Sequence, residues 1–111
     1  MANPHDDFSV TVEKVDAVYL VKLSSDYLEL NLRFDQAKLG LFTNIESADW
    51  NRRGSIALGS CLGAPVFWSA SENGRVSMVI GADDEVWDVG LEISMTTLHR
   101  IRQELAQASS A

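Results

Sequence analysis

The chain has 111 residues, 46% of them hydrophobic and 23% charged, which is the size and composition of one globular domain and not of a disordered segment. Its 16 acidic and 9 basic residues leave a net charge of −7, which disfavours nucleic acid and anionic membrane as partners because both would be repelled. The lone cysteine, Cys61, excludes an intrachain disulfide framework.

That charge is compatible with a basic protein partner and equally with plain solubility. Residues 1–7 are polar and acidic, lack the charged-then-apolar order of a signal peptide, and are expected to form a flexible tail. No apolar run approaches the ~20 residues that span a bilayer, so the expected compartment is the cytoplasm.

Phe8, Val10 and Val12 alternate with Ser9, Thr11 and Glu13, the period of a half-buried strand. Val15 to Leu23 reads as a second strand, ended by the turn residues Ser24-Ser25-Asp26. In the third, Leu28, Leu30, Leu32 and Phe34 share one face, and Tyr27, Glu29, Asn31 and Arg33 share the other. The spacing predicts an antiparallel meander.

Asp35 to Arg53 breaks this rhythm. Leu39, Leu41, Phe42 and Ile45 follow no sustained strand or helix spacing, and the polar stretch Glu46 to Arg53 surrounds Trp50. A crossing connection with a helical turn near Gln36–Leu39 is expected, and so long an irregular segment is either a functional loop or an unassigned element.

From Ser55, Ile56, Leu58, Ser60 and Leu62 alternate with the small residues Ala57, Gly59 and Cys61, and Gly63-Ala64-Pro65 turns the chain. Val66, Trp68 and Ala70 define the next buried face. Glu72-Asn73-Gly74 signals a tight hairpin into a strand with Val76, Met78 and Ile80 inward. Gly81 to Glu85 forms another turn, and the last strand, Val86 to Ile93, is expected to bury Trp87, Val89, Leu91 and Ile93.

Ser94 is placed to cap an amphipathic helix with Met95, Leu98, Ile101, Arg102 and Leu105 on one side. Arg100 and Arg102 sit where cations suit the end of a helix dipole, and residues 106–111 are expected to fray, leaving 108–111 as a tail. The fold class is therefore α+β: a largely antiparallel sheet of about six to seven strands with one C-terminal helix on a face.

Ingredients for catalysis are sparse. Cys61 lies in an alternating strand and suits a core, His5 falls in the tail, and His99 borders the helix stripe. There is no cysteine pair, no His-x-x-x-His and no phosphate-binding glycine motif, so no metal, cofactor or enzymatic activity is expected. Asp83, Asp84, Glu85 and Asp88 form the densest carboxylate group, but their consecutive spacing does not match a calcium loop.

Two places suit a protein partner: Asp83, Asp84, Glu85 and Asp88 beside Trp87, and Glu46 and Asp49 beside Trp50. Aromatic anchors next to charge are the stuff of interface hot spots. The plain alternative makes Trp87 core and Trp50 an edge cover.

The strand opening Asp26-Tyr27-Leu28-Glu29-Leu30, the run Trp87 to Ile93 and the short helix Thr96 to Leu105 together resemble the small acidic immunity proteins of bacterial polymorphic-toxin systems. The resemblance implies a non-catalytic inhibitor that binds a cognate, basic toxin domain and blocks its active site, with Asp83, Asp84, Glu85, Asp88, Glu46, Asp49 and Trp50 as the binding set. Two other readings stand beside it. One is a self-assembling accessory domain or homodimer, with Phe67 and Trp68 on opposite faces of one strand. The other is a small-molecule domain with Trp68 and Met78 lining a pocket.

Overall fold

The computed structural model describes residues 8–49, 54–71 and 74–110. Seven strands make one sheet: β1 (Ser9–Val15), β2 (Val18–Ser24), β3 (Glu29–Asp35), β4 (Ile56–Cys61), β5 (Ala64–Ala70), β6 (Arg75–Gly81) and β7 (Trp87–Ser94). Every neighbour in the sheet is a neighbour in the chain, and every pairing is antiparallel. With the C-terminal helix α1 (Met95–Ser110), this is the α+β class that the periodicity predicts.

Alternation sets the inner face. Tyr19, Val21 and Leu23 of β2, Leu30, Leu32 and Phe34 of β3, Val66 and Trp68 of β5, and Val76, Met78 and Ile80 of β6 are all buried there. The first boundary differs from the sequence expectation. β1 continues to Val15, and Asp16 takes a φ of 56° to close a tight turn before Val18. An aspartate tolerates that left-handed backbone better than most residues. Leu28, expected inside, lies in the β2–β3 turn and is exposed.

The irregular segment is a helix of another period. Gln36–Ser47 forms a 3-10 helix, longer than the one turn expected. Leu39, Phe42, Ile45 and Ala48 recur every third residue, which aligns them on one side of a helix with about three residues per turn. Phe42, Ile45 and Ala48 are buried and Leu39 packs partly against the core. Phe42 meets Phe34 and Trp68 at ring separations of 5.0 and 5.7 Å, and the Trp68 indole N–H donates to the Leu58 carbonyl at 2.8 Å.

Two bulges reset the alternation. In β4, Ala57 pairs with Phe67 but Ser60 pairs with Pro65, so one extra residue enters at Leu58–Gly59. Cys61 therefore joins the inner face, packed partly against the core, and Ser60 takes the register of the outer face. Leu62, expected inward, is fully exposed in the following turn, where its φ is 52°. That turn is Leu62-Gly63, and Ala64 and Pro65 already belong to β5.

The second bulge is in β7, where Val89 pairs with Ile80 but Trp87 pairs with Gly81, leaving Asp88 as the extra residue. Ile93 and, in part, Leu91 are buried as expected. Trp87 and Val89 are not core: they are 46% and 43% exposed. The bulge turns Trp87 to the outer face, while Val89 keeps the inner register at the rim of an edge strand. The hairpin residues Glu72 and Asn73 lie outside the described residues, although Gly74, at a φ of 77°, closes onto Ser71.

Helix α1 is longer than the spacing suggests. The Ser94 hydroxyl accepts the Thr97 N–H at 3.1 Å, a regular N-cap. Its far end is held: Ala108 packs on the core and the Ser109 and Tyr19 hydroxyls are 2.8 Å apart, so residues 108–110 are helix and not a tail. Arg100 and Arg102 consequently fall in its first half and do not serve its C-terminal dipole. The helix packs most on β1 and also touches β6 and β7, while the 3-10 segment covers β3, β4 and β5. Since α1 reaches both edges of the sheet order, the sheet curls around it. No helix among the described residues is long and apolar enough to cross a membrane.

Candidate functional site

In a meander, alternate connections share one end. The β2–β3, β4–β5 and β6–β7 connections therefore stand together at one end of the sheet. Among the described residues the exposed large hydrophobics are Val15, Tyr27, Leu28, Leu62, Val86, Trp87 and Val89, and all but Val15 lie in or beside those three connections. Tyr27 and Leu62 are essentially fully exposed. Asp26, Asp83, Glu85 and Asp88 share that end and are exposed. Exposed apolar side chains on several turns, rimmed by one sign of charge, are the makings of a recognition surface.

The β6–β7 connection is ordered by its own acids. The Asp83 carboxylate accepts the backbone N–H groups of Glu85 and Val86 at 2.8 and 2.7 Å. Asp84 reaches back to accept the Ser55 hydroxyl at 2.7 Å, which draws the connection over the outer face of the sheet. There, Ser55, Phe67, Ser69, Ser77, Val79 and Trp87 line a cavity of about 100 Å³. The indole lies across Gly90, where an added Cβ would stand 2.7 Å from Trp87 Cζ3.

The sequence-derived binding residues divide. Asp83, Asp84 and Glu85 lie on the β6–β7 connection and Asp88 at the start of β7, so the four stay at one end of the sheet. Asp49 joins them indirectly: it bridges Ala70, its carbonyl accepts the Gly54 N–H at 2.9 Å, and the next residue, Ser55, meets Asp84. Trp50 lies outside the described residues.

Glu46 belongs elsewhere. Its carboxylate pairs with Arg102 of α1, whose Nη1 is 2.9 Å from Glu46 Oε2 and whose Nη2 also reaches Glu46 Oε1 and the Phe42 carbonyl. His99 stands 4.0 Å away. Glu46 thus ties the 3-10 segment to the helix. Its acidity agrees: the hydrogen bond from Arg102 chiefly holds the carboxyl below its ordinary 4.5, partial burial opposes this, and the guanidinium charge adds to it.

A carboxyl with a lowered folded value stabilises the fold above its unfolded value and loses that contribution as pH falls through the folded one. Glu46→Gln should therefore cost about 0.5–1 kcal/mol at neutral pH, the scale of an exposed ion pair. The gap to wild type should close as pH falls below 4.5. Urea unfolding at neutral and acid pH measures this, and a gap that stays constant would count against the ion pair.

Tyr27 and Leu62 were not among the sequence-derived candidates. The available signal was an apolar residue inside turn chemistry, Ser25-Asp26-Tyr27 and Leu62-Gly63. Trp68 and Met78 are fully buried in the core and do not open a pocket to solvent. A second depression, about 500 Å³ and open, runs over the outer face of β1–β3, lined among others by Glu13, Lys22 and Arg33. Its charges are mixed, and Lys22 of its lining makes a solvated ion pair with Glu29 at 4.0 Å. Among the described residues no three His, Cys, Asp or Glu side chains gather as metal ligands.

No protein-family model, no curated protein sequence and no solved structure matches this chain.

Proposed function

We propose that the chain is a non-catalytic protein-binding module of the immunity type, which captures a basic partner domain and occludes its working surface. The observation that carries this reading is the concentration of exposed apolar side chains at the acidic end of the sheet, with Tyr27, Leu62, Val86 and Trp87 among Asp26, Asp83, Glu85 and Asp88. Apolar tips supply contact area, and a surplus of carboxylates speeds encounter with a basic surface and orients it. The overall charge of −7 acts in the same direction.

A second reading is self-pairing through β7, whose outer edge has no strand beside it among the described residues and whose Val89 is half exposed. Antiparallel pairing centred on Gly90 would set Asp88 of one copy opposite Glu92 of the other, a repulsion that disfavours it.

The test is capture from the native cells with tagged wild type and with Tyr27→Ser/Leu62→Ser/Asp88→Lys, washed at low and high salt. A single stoichiometric basic protein should be retained by wild type, shed at high salt, bound at least about tenfold more weakly by the variant, and lose its own activity on binding. The variant should unfold at the wild-type temperature, since these side chains are exposed. Self-copies alone, or capture that the variant does not weaken, would sink the proposal.

A further inference from the structure

The β7 edge is the most open strand of the sheet. Trp87, Asp88, Val89 and Gly90 are all exposed, and along its outer side β7 carries no strand among the described residues. The opposite edge strand, β1, has α1 packed against it. An open edge presents backbone N–H and C=O groups that an extended segment can pair with, and natural sheets normally block such edges. The Asp88 bulge blocks only the beginning of this one. From Val89 to Ser94 every residue pairs with β6 in regular register, so the outer side of that stretch is regular too.

The side chains along the edge determine what fits it. Gly90 and Glu92 take the outer face with Asp88 at the bulge beside them, and Val89 and Leu91 keep the inner face. Gly90 has no side chain of its own, and the half-exposed Trp87 indole lies across it. A residue paired opposite Gly90 would stand between two carboxylates and against an aromatic ring, which suits a Lys or Arg. Apolar residues suit the positions opposite Val89 and Leu91. Arg75 already shares Glu92, with Nε 3.7 Å from its carboxylate and Nη2 donating to its carbonyl at 3.3 Å, so Asp88 carries most of the preference. A second copy fits poorly, since two β7 edges paired about Gly90 set acid opposite acid.

We infer that β7 is a strand-addition site, which takes an extended segment of alternating basic and apolar residues as a further strand along Val89–Ile93. The basic residue opposite Gly90 lies on Trp87, between Asp88 and Glu92. That the segment belongs to a basic partner captured by this chain rests on the proposed function; the preference for a basic extended segment does not. The site continues the acidic end of the sheet, because β7 begins there at Trp87, so one partner reaches both.

The probe is a blocked peptide, Thr-Lys-Val-Arg-Val-Lys-Thr, titrated into the full chain while the Trp87 indole and the β7 amide resonances are followed. Saturable shifts are expected, with slowed hydrogen exchange at alternate amides from Val89 to Ile93. The same peptide with glutamate in place of each basic residue should bind at least about fivefold more weakly, and Asp88→Asn should narrow that difference. N-methylation of every second peptide nitrogen should abolish binding in one phase and spare it in the other, because a strand pairs here through one edge. Tyr27→Ser/Leu62→Ser, which alters only the neighbouring connections, should bind the peptide as wild type does. Non-saturable shifts, equal binding of the glutamate peptide, or equal tolerance of both N-methylated phases would each overturn the inference, as would dimerisation of the chain through β7. Peptide binding by a chain that captures no protein would remove the partner and keep the site. A captured protein that leaves the β7 amides exchanging as in the free chain would do the reverse.

Discussion

Trp68→Ala should cost about 3–5 kcal/mol, the scale of deleting a large aromatic side chain from a packed core. Trp68 is fully buried, sits 5.7 Å from Phe42 and 6.2 Å from Phe34, and gives its N–H to the Leu58 carbonyl. The indole joins three elements at once: the 3-10 segment, β3 and, through that hydrogen bond, β4. A domain of this size has a total stability of about 5–15 kcal/mol, so the variant is near the threshold of folding. Trp68→Phe retains most of the packing but leaves the Leu58 carbonyl without its donor, and should lose about 1–3 kcal/mol. Urea unfolding of the two variants separates packing from hydrogen bonding. A Trp68→Ala loss below about 1 kcal/mol would mean that the core is not organised around this ring.

Gly59→Ala should be the other large loss, at about 2–5 kcal/mol. Gly59 holds a φ of +85°, and a Cβ there would stand 2.4 Å from Phe34 Cε1 and 2.9 Å from the Arg33 carbonyl oxygen. The left-handed backbone costs an L-residue about 1–2 kcal/mol, and overpacking against a buried ring adds about 1–3. Phe34 cannot yield easily because Phe42 and Trp68 stand against it. The damage should also be local. The β3–β4 pairing consists of Arg33 and Ser60 alone, one residue from the bulge, and it joins the first three strands to the last four. Hydrogen exchange should therefore accelerate in β3 and β4 before it does in β6. Gly63→Ala is the control, with a φ of +81° but nothing within 4 Å of the added Cβ, and should cost only the backbone share, about 1–2 kcal/mol. Equal losses at the two glycines would show that the close approach to Phe34 contributes nothing.

The same two bulges mark where sequence reading stops. Leu30, Leu32 and Phe34, or Val76, Met78 and Ile80, reveal their buried face without coordinates, because an unbroken strand repeats every two residues. The same arithmetic carried through Gly59 puts Leu62 inside, and carried through Asp88 it puts Trp87 in the core with Val89. Each bulge adds one residue to one strand only, and a single sequence does not show its partner strand. The 3-10 segment fails for a different reason: Leu39, Phe42, Ile45 and Ala48 are periodic, but at three, which matches neither a strand nor an α-helix.

The candidate site divides along the same line. The acids at 83, 84, 85 and 88 are visible as a cluster because they are adjacent in the chain, and the Ser94 cap is visible because a cap is local. Glu46 looks equivalent to them in sequence, yet Arg102, 56 residues away, claims it. Ser55 and Asp84 are separated by 29 residues and share a hydrogen bond, and Ser69 and Ser77 meet only because β5 pairs with β6 in that register. Composition, turn chemistry and the period of each strand are properties of neighbours along the chain, and the sequence alone determined them: an acidic α+β fold with a capped terminal helix. Which residues of distant strands face one another, and so which tryptophan is core and which is surface, depends on register across the sheet, and only the tertiary structure decided it.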